Sequence, residues 1–452
     1  MPTDSGIDRA RLQILADRER ATFADRHPGS RAAYGRADHL FGRVPMTWMN
    51  KTAAGFPIYL ATARGNRITD VDGNEFVDFA LGDTGAMAGH SPAPVVAAVT
   101  EQVARGLATM LPTEDAAVAG AELARRFGLP AWSFALTATD ANRWAIRLLR
   151  AVTGRSKILV NSYCYHGSVD ESLIVVGPDG RGRSRDGNVG APVDVTATSR
   201  VAEFNDLAGL ERELANGDVA AVLMEPALTN IGIVLPEDGY LAGVRELTRR
   251  HGTYLINDET HTFSAGPGGA TAFWGLRPDV VTIGKAIGGG VPVGAYGLSA
   301  ELADALTGRG DLDLIDMGGV GGTLAGNPVS MAATRATLRE VLTEAAFAGM
   351  IETASAFADG ISQIIEGYGL PWSVSRLGAR VEYRFANPAP RNGTESAASA
   401  DAELEDFLHV YLANRGVLLT PFHNMALMCP QTTLADVARH HEIFDAALAE
   451  LT

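Results

Sequence analysis

The chain has 452 residues, 46% hydrophobic and 20% charged, with a net charge of −15. That length is too great for one small core and predicts a large domain joined to a smaller one, while the acidic balance argues against nucleic acid or an anionic membrane surface as partner. Two cysteines, Cys164 and Cys429, give no disulfide framework and no metal cluster, and no apolar run is long enough to span a bilayer. The opening MPTDSGIDRARLQ lacks the apolar core of a secretory signal, so a reducing, cytoplasmic setting is expected.

In chain order, residues 6–26 place Ile7, Leu12, Ile14 and Leu15 near helical spacing. They read as an N-terminal helix suited to packing on a partner subunit. Residues 56–79 alternate apolar and polar positions around Asp72-Gly73-Asn74, the pattern of a hairpin or short meander. Residues 82–90 form a glycine-rich loop and 94–107 an amphipathic helix. From there helices (141–152, 241–250) alternate with short apolar strands (157–161, 219–225, 253–258, 280–283, 293–298). Such alternation predicts an α/β fold with a mostly parallel, helix-covered sheet, whose chemistry gathers at the strand ends. Residues 180–195, polar and glycine-rich, read as an exposed loop or active-site flap. Residues 332–367 are helical in pattern and lead to an α+β portion with strands at 380–385 and 416–420. The expected division is 1–80 (part of a small domain), 81–335 (large domain) and 336–452 (C-terminal small domain).

One stretch organises these elements. In VVTIGKAIGGGVPVGAYG, residues 280–297, an apolar run ends in Lys285, and Gly288, Gly289 and Gly290 follow. Burial disfavours the ammonium form and makes the amine a better nucleophile, and the glycines would admit backbone or a flat cofactor. The chain has only three lysines, Lys51, Lys157 and Lys285. Elsewhere its positive charge is arginine, which forms no Schiff base. Asp258 ends the strand before, where a carboxylate could keep a pyridine nitrogen protonated or could simply cap a helix. Thr137 and Thr139 stand at a helix start, a phosphate site or a plain N-cap. Tyr163 and Tyr165 in YCYHG could stack on a ring or pack in the core, Glu225-Pro226 ends another strand, and Gly321-Gly322-Thr323 adds a glycine-flanked hydroxyl. No metal site is expected.

Taken together, the text DVDGNEFVDF, TATDAN, YHG, NDETHT, PDVVTIGKAIGGGVPVGAYG and GGTLAGNP resembles the class III (subgroup II) pyridoxal-phosphate aminotransferases, especially the branch around glutamate-1-semialdehyde aminomutase. The likeness runs from about Phe56 to the C-terminus. It implies a fold-type I homodimer with the active site shared between subunits, pyridoxal 5′-phosphate as cofactor, and small-molecule partners: an amino donor and a keto or aldehyde acceptor. By the same resemblance Lys285 bonds the cofactor and moves the substrate proton, and Asp258 binds the pyridine nitrogen. Thr137, Ala138 and Thr139 match the phosphate cup, and Thr323 the threonine lent by the neighbouring subunit. Tyr165 matches the stacking tyrosine, Thr260 and His261 the residues at the ring's other face and near its hydroxyl, and Glu225 with Asn230 the strand-end EP…N region.

The chain departs from that pattern in places: Ala138 and Asp140 stand where the family usually has Gly and Glu, Thr260–Ser264 replace its V-x-T-G-F-R, and Cys429–Thr433 replace a more usual Ser…His-Thr. Trp48 stands where the aminomutase's substrate arginine would fall, which implies a substrate other than glutamate semialdehyde. Arg43, Arg380 and Arg384 are candidates to clamp a substrate carboxylate, and Trp48, Trp132 and His423 to line an apolar pocket. The expected activity is ping-pong transamination through pyridoxamine phosphate. The alternatives are an aminomutase or an amino-acid racemase or epimerase on the same scaffold, and a regulatory module that only binds the cofactor.

Overall fold

The computed structural model describes residues 5–190 and 193–452. The chain divides into two compact units. One comprises Ala93–Phe347 with Pro390–Ala397; the other comprises Met1–Pro92, Ala348–Ala389 and Ala398–Thr452.

The first unit is built on a seven-stranded sheet: β1 (Ala131–Ala135), β2 (Lys157–Asn161), β3 (Ser199–Ala202), β4 (Val219–Met224), β5 (Tyr254–Asp258), β6 (Val280–Ile283) and β7 (Gly294–Leu298), in spatial order β1-β7-β6-β5-β4-β2-β3. Only β7 runs against its neighbours, β6 and β1; the remaining pairs are parallel. This is the mostly parallel, helix-covered sheet the sequence predicts. The central strands are the ones legible as apolar runs. All six residues of β4 are buried, as in a sheet covered on both faces. The two strands absent from the sequence reading, β1 and β3, are the sheet's edges. An edge strand is less enclosed, so AWSFA and SRVA carry a weaker apolar signal.

Helix α1 (Ala138–Thr153) begins at the N-cap Thr137 and ends at Gly154 in the left-handed conformation, φ 68°. It buries Ala141, Asn142, Trp144, Ala145, Ile146, Leu148 and Leu149. The stretch 332–367, predicted helical, is two helices, Pro328–Ala336 and Glu344–Gly367, with the π-helical segment Thr337–Val341 extending the first. The predicted loop 180–195 lies partly outside the described residues; within it Gly182–Ser184 pairs antiparallel with Ile174–Val176.

The second unit holds a four-stranded sheet (Leu60–Arg64, Arg67–Asp70, Glu75–Asp78 and Val417–Leu418) and a three-stranded one (Ser373–Leu377, Arg380–Arg384 and Met425–Leu427). The strand expected at 416–420 is thus only two residues long. The N-terminal helix Arg9–Arg26 buries Leu12, Leu15 and Phe23 and packs along Ala402–Asn414 of its own unit. There Glu19 accepts hydrogen bonds from Asn414 at 2.7 Å and Arg415 at 2.9 Å. Ile14, expected with the apolar set, is 71% exposed, because it falls off that face. Among the described residues, no helix is long and apolar enough to cross a membrane, and no group of three or more His, Cys, Asp or Glu side chains is placed to hold a metal ion.

In this unit His440 is enclosed by Phe79, Phe357 and Phe444, with neither ring nitrogen hydrogen-bonded. Burial, with His441 beside it, holds its imidazole well below the usual value, so the ring is neutral in the fold. As pH falls below about 6.5, the unfolded chain binds a proton that the folded one refuses, and stability drops. His440→Leu removes two unsatisfied buried nitrogens. It should leave the protein equal or about 1 kcal/mol more stable at pH 7.5, with a shallower fall in melting temperature between pH 7 and 5. Thermal unfolding across that range checks this; a variant curve parallel to wild type would refute it.

Candidate active site

Adjacent parallel strands bring the two sequence candidates together. Asp258 of β5 lies opposite Thr282 of β6, so Lys285 emerges three residues further along the same strand-end edge. Gly284 separates Ile283 from Lys285, whose backbone sits at φ 48°, a conformation uncommon for a side-chain-bearing residue. The half-buried Lys285 Nζ lies 2.7 Å from Nε2 of His261.

Asp258 is 3% exposed, yet its carboxylate is fully engaged. Oδ2 accepts from His166 Nδ1 and Asn142 Nδ2, each at 2.9 Å, and Oδ1 accepts from the Thr260 amide at 3.0 Å. Burial alone would raise its pKa; the bond and charge of His166, with Thr260 and Asn142, outweigh it and bring the carboxyl down to about 2. Burial opposes charge on His166, and its neighbours Cys164 and Asp258 override that and hold the imidazole well above its usual range. Asn142 also accepts from the Thr282 hydroxyl at 2.6 Å, tying β6 into the network. Neither Asn142 nor His166 was assigned a role from sequence. Both lie inside the motifs TATDAN and YHG, whose threonines and tyrosine carry the more conspicuous signal. Next to Asp258, the buried Glu259 accepts from the hydroxyls of Thr262 and Thr271 and the amides of Ala270 and Thr271, anchoring the turn that carries His261.

The predicted phosphate cup is the start of α1. Thr137 Oγ1 accepts from the Asp140 amide at 3.2 Å and donates to the Asp140 carboxylate at 2.9 Å. The first amides of a helix have no intrahelical acceptor, so residues 137–139 offer backbone donors and hydroxyls of a kind that suits an anion. The cup is pressed against β7: a methyl group at Gly294 would lie 2.3 Å from the Thr137 carbonyl oxygen, and one at Gly284 would lie 3.0 Å from the Ala138 nitrogen. These two glycines give the close approach expected of Gly288–Gly290. The triplet instead shapes the turn after Lys285, with Gly289 at φ 56° against Thr337 and Val95. Thr139 lies against Gly167, which places the YHG segment, with half-buried Tyr165, beside the cup.

Glu225, at the end of β4, is buried and accepts from the Thr229 hydroxyl. Thr260 and His261 are buried at the end of β5, and the Thr260 hydroxyl is enclosed without a hydrogen-bond partner. Asn230 is half-buried and Thr323 exposed. Trp132 is committed to packing: its indole donates to the Leu129 carbonyl at 2.8 Å and its ring covers Gly297.

The substrate candidates Arg43, Trp48, Arg380, Arg384 and His423 belong to the second unit. Arg43 is exposed and paired with Asp38 at 2.7 Å. Trp48 is 44% exposed, its ring edge-on to Phe422. Arg380 is fully buried and donates to the Thr84 hydroxyl; Arg384 is buried beside Ser399. His423 lies 3.5 Å from Glu382.

The first unit's donors suit a phosphorylated pyridine aldehyde: an amine to bond the aldehyde carbon, an ionised buried carboxylate for the ring nitrogen, and a helix start for the phosphate. The unpartnered buried Thr260 hydroxyl fits the same group.

Comparison with known proteins agrees. The family model of class-III aminotransferases matches residues 48–448. The glutamate-1-semialdehyde 2,1-aminomutase of Anaeromyxobacter dehalogenans is 34% identical over 407 residues, covering 88% of this chain and 92% of that protein. The crystal structure of a glutamate-1-semialdehyde aminomutase from Pseudomonas aeruginosa is 47% identical, with a TM-score of 0.96 over 99% of this chain and 100% of that one. A lysine-to-alanine variant of the same enzyme was solved in complex with PMP. An omega-transaminase from Sphaerobacter thermophilus is 30% identical, with a TM-score of 0.85 over 95% of this chain and 99% of that one. The fold, the site chemistry and these matches agree on one assignment: the chain belongs to the class-III aminotransferase family of pyridoxal-phosphate-dependent enzymes.

Proposed function

We propose that this enzyme is an aminomutase, shifting an amino group between neighbouring carbons of one substrate. The observation that carries the chemistry is Asp258, ionised and buried at the same strand-end edge as the amine of Lys285. The aminomutase names of its relatives at 34% and 47% identity favour isomerisation over exchange between two substrates. Transamination, the expectation from sequence, is the second reading, supported by the omega-transaminase likeness. The same groups serve both.

Pyridoxal 5′-phosphate, when bound, supplies an electron sink for the carbanion left when a substrate carbon loses its proton. Lys285 would hold the cofactor at its aldehyde carbon, and its Nζ is the base placed to take a proton from a substrate carbon and return it to carbon. Asp258 would keep a proton on the ring nitrogen, and His166 and Asn142 fix its carboxylate. Thr137, Ala138 and Thr139 receive the phosphate. Tyr165 is assigned to one face of the ring, Thr260 to the other, His261 to the region of its hydroxyl, and Glu225 to the surrounding wall. The enzyme is read as a cytoplasmic homodimer in which Thr323 serves the neighbouring subunit's phosphate. Of the substrate candidates, Trp48 is favoured over Arg43 and Arg380, because Arg43 is already ion-paired and Arg380 is enclosed.

The deciding experiment gives the holoenzyme glutamate 1-semialdehyde, and separately a panel of α-, β- and ω-amino compounds, without any acceptor. The reading expects an isomer of unchanged mass to accumulate by mass spectrometry and NMR. Consumption only when a keto or aldehyde acceptor is added would replace it with transamination, and decay of optical rotation with no constitutional change would replace it with racemisation. Lys285→Ala should still bind the cofactor but lose turnover by about a thousandfold or more; full activity in that variant would sink the assignment. Asp258→Asn should lower turnover by about a hundredfold while the visible cofactor band persists. Because the folded chain holds Asp258 ionised below its ordinary value, its stabilising effect is present at neutral pH and lost only as pH falls toward about 2. Titration of this group should therefore leave the activity profile flat above about pH 4.

A further inference from the structure

His261 stands where the sequence puts a threonine-rich turn, THTFS, after the Asp-Glu pair. Its Nε2 lies 2.7 Å from Lys285 Nζ, and the ring is only 7% exposed. Two basic nitrogens at that separation share one proton along the line between them. An amine carries N–H donors in either protonation state, and a neutral imidazole offers one lone pair. The imidazole is therefore the acceptor, with its lone pair at Nε2 and its own proton at Nδ1. The ring is fixed from below. Glu259, the second residue before it, is locked by Thr262, Ala270 and Thr271, and Asp258 is locked by His166, Asn142 and the Thr260 amide. The imidazole is thus mounted on a turn whose backbone is held at both flanks.

We propose that His261 is a positioning residue for the proton-carrying step: it holds Nζ of Lys285 through Nε2 and stabilises the lysine while it carries the substrate proton. The inference rests on the reading of Lys285 as the proton carrier. The balance closes on lysine alone. The carbon–hydrogen bond of the substrate breaks, its electron pair stays on carbon, and the proton joins the Nζ lone pair. That proton later leaves Nζ for carbon, and His261 gains and loses none. One N–H of the amine stays directed at Nε2 throughout, so the amine turns on an anchored bond rather than freely. Orientation of this kind is a recognised source of rate.

The chain's scarcity of lysine makes this testable without turnover. Lys51 is exposed and Lys157 lies 3.4 Å from Asp218, so both serve as internal references for Lys285. The cofactor-free full chain is acylated with a limiting amine reagent between pH 7 and 10, and labelling at each lysine is read by mass spectrometry, for wild type, His261→Met and His261→Gln. Methionine removes the acceptor; glutamine keeps one. In the methionine variant Nζ loses the acceptor that holds it, so labelling of Lys285 relative to Lys51 should rise about tenfold at pH 8. Glutamine should stay within about twofold of wild type. In the loaded enzymes, donor-driven decay of the visible band should slow about tenfold for methionine and much less for glutamine, with cofactor affinity within about threefold. A methionine variant labelled at the wild-type ratio overturns the proposal. So does one whose only defect is weaker cofactor binding, which would make His261 a cofactor contact and nothing more. If wild type itself forms no visible band with pyridoxal 5′-phosphate, the reading of Lys285 fails and takes the proposal with it. A normal band with an unchanged labelling ratio fails the proposal alone.

Discussion

A buried carboxylate sets the terms for this structure. Removing an ionised Asp258 from water costs several kcal/mol unless the lost hydration is replaced. The chain replaces it with an imidazole, a side-chain amide and a backbone amide, drawn from three separate stretches of sequence. Each donor also carries a neighbouring feature into place. Asn142 lies on the helix whose first turn is the proposed phosphate cup. His166 is flanked by Tyr165 and by Gly167, which packs on Thr139. Thr260 leads into the turn that holds His261 against Lys285. Satisfying one charge therefore brings these features of the first unit together, and a substitution that breaks the charge network disturbs them together.

The lysine illustrates a second constraint, close approach of backbone. The cup reaches the sheet because Gly284 and Gly294 carry no side chain where the Thr137–Ala138 peptide passes. Lys285 follows one of these glycines directly and accepts a positive φ. A strand that simply ended would point its last side chain along the pleat; this one turns sharply, and the amine is delivered to His261. Strain at such a position persists only when the surroundings over-determine it. Here the flanking β6 and the enclosed Ala286, Ile287 and Gly288 do so.

The sequence made parts of this plain for identifiable reasons. Lys285 stood out because lysine is almost absent, and Asp258 because it ends an apolar strand in the expected order. The central strands were legible as apolar runs since both their faces are covered. The edge strands β1 and β3 were not, since their burial pattern is mixed. Asn142 and His166 were in view as letters but not as partners. Their importance comes from contacts with Asp258 that span 116 and 92 positions, which local periodicity does not encode. The triple glycine was read as the close-approach element because it is conspicuous, whereas the single glycines at 284 and 294 meet the cup. In the second unit, a count of arginines said nothing of their state: Arg43 is spent on Asp38, and Arg380 is enclosed with Thr84.

The cup itself contains a competition that bears on how tightly the cofactor is held. A helix start favours any negative charge placed there, whether a bound phosphate or a side chain in the first turn. Asp140 is such a side chain, and it already takes the Thr137 hydroxyl as donor while its amide is capped by the same oxygen. A phosphate arriving at residues 137–139 meets the favourable helix end and the unfavourable like charge of Asp140 together. It gains the Thr137 hydroxyl only by displacing the carboxylate from it. The close fit against Gly284 and Gly294 leaves the backbone amides little room to shift in compensation. On the proposed reading, the cup would thus offer a phosphate less than a helix start free of a first-turn carboxylate would.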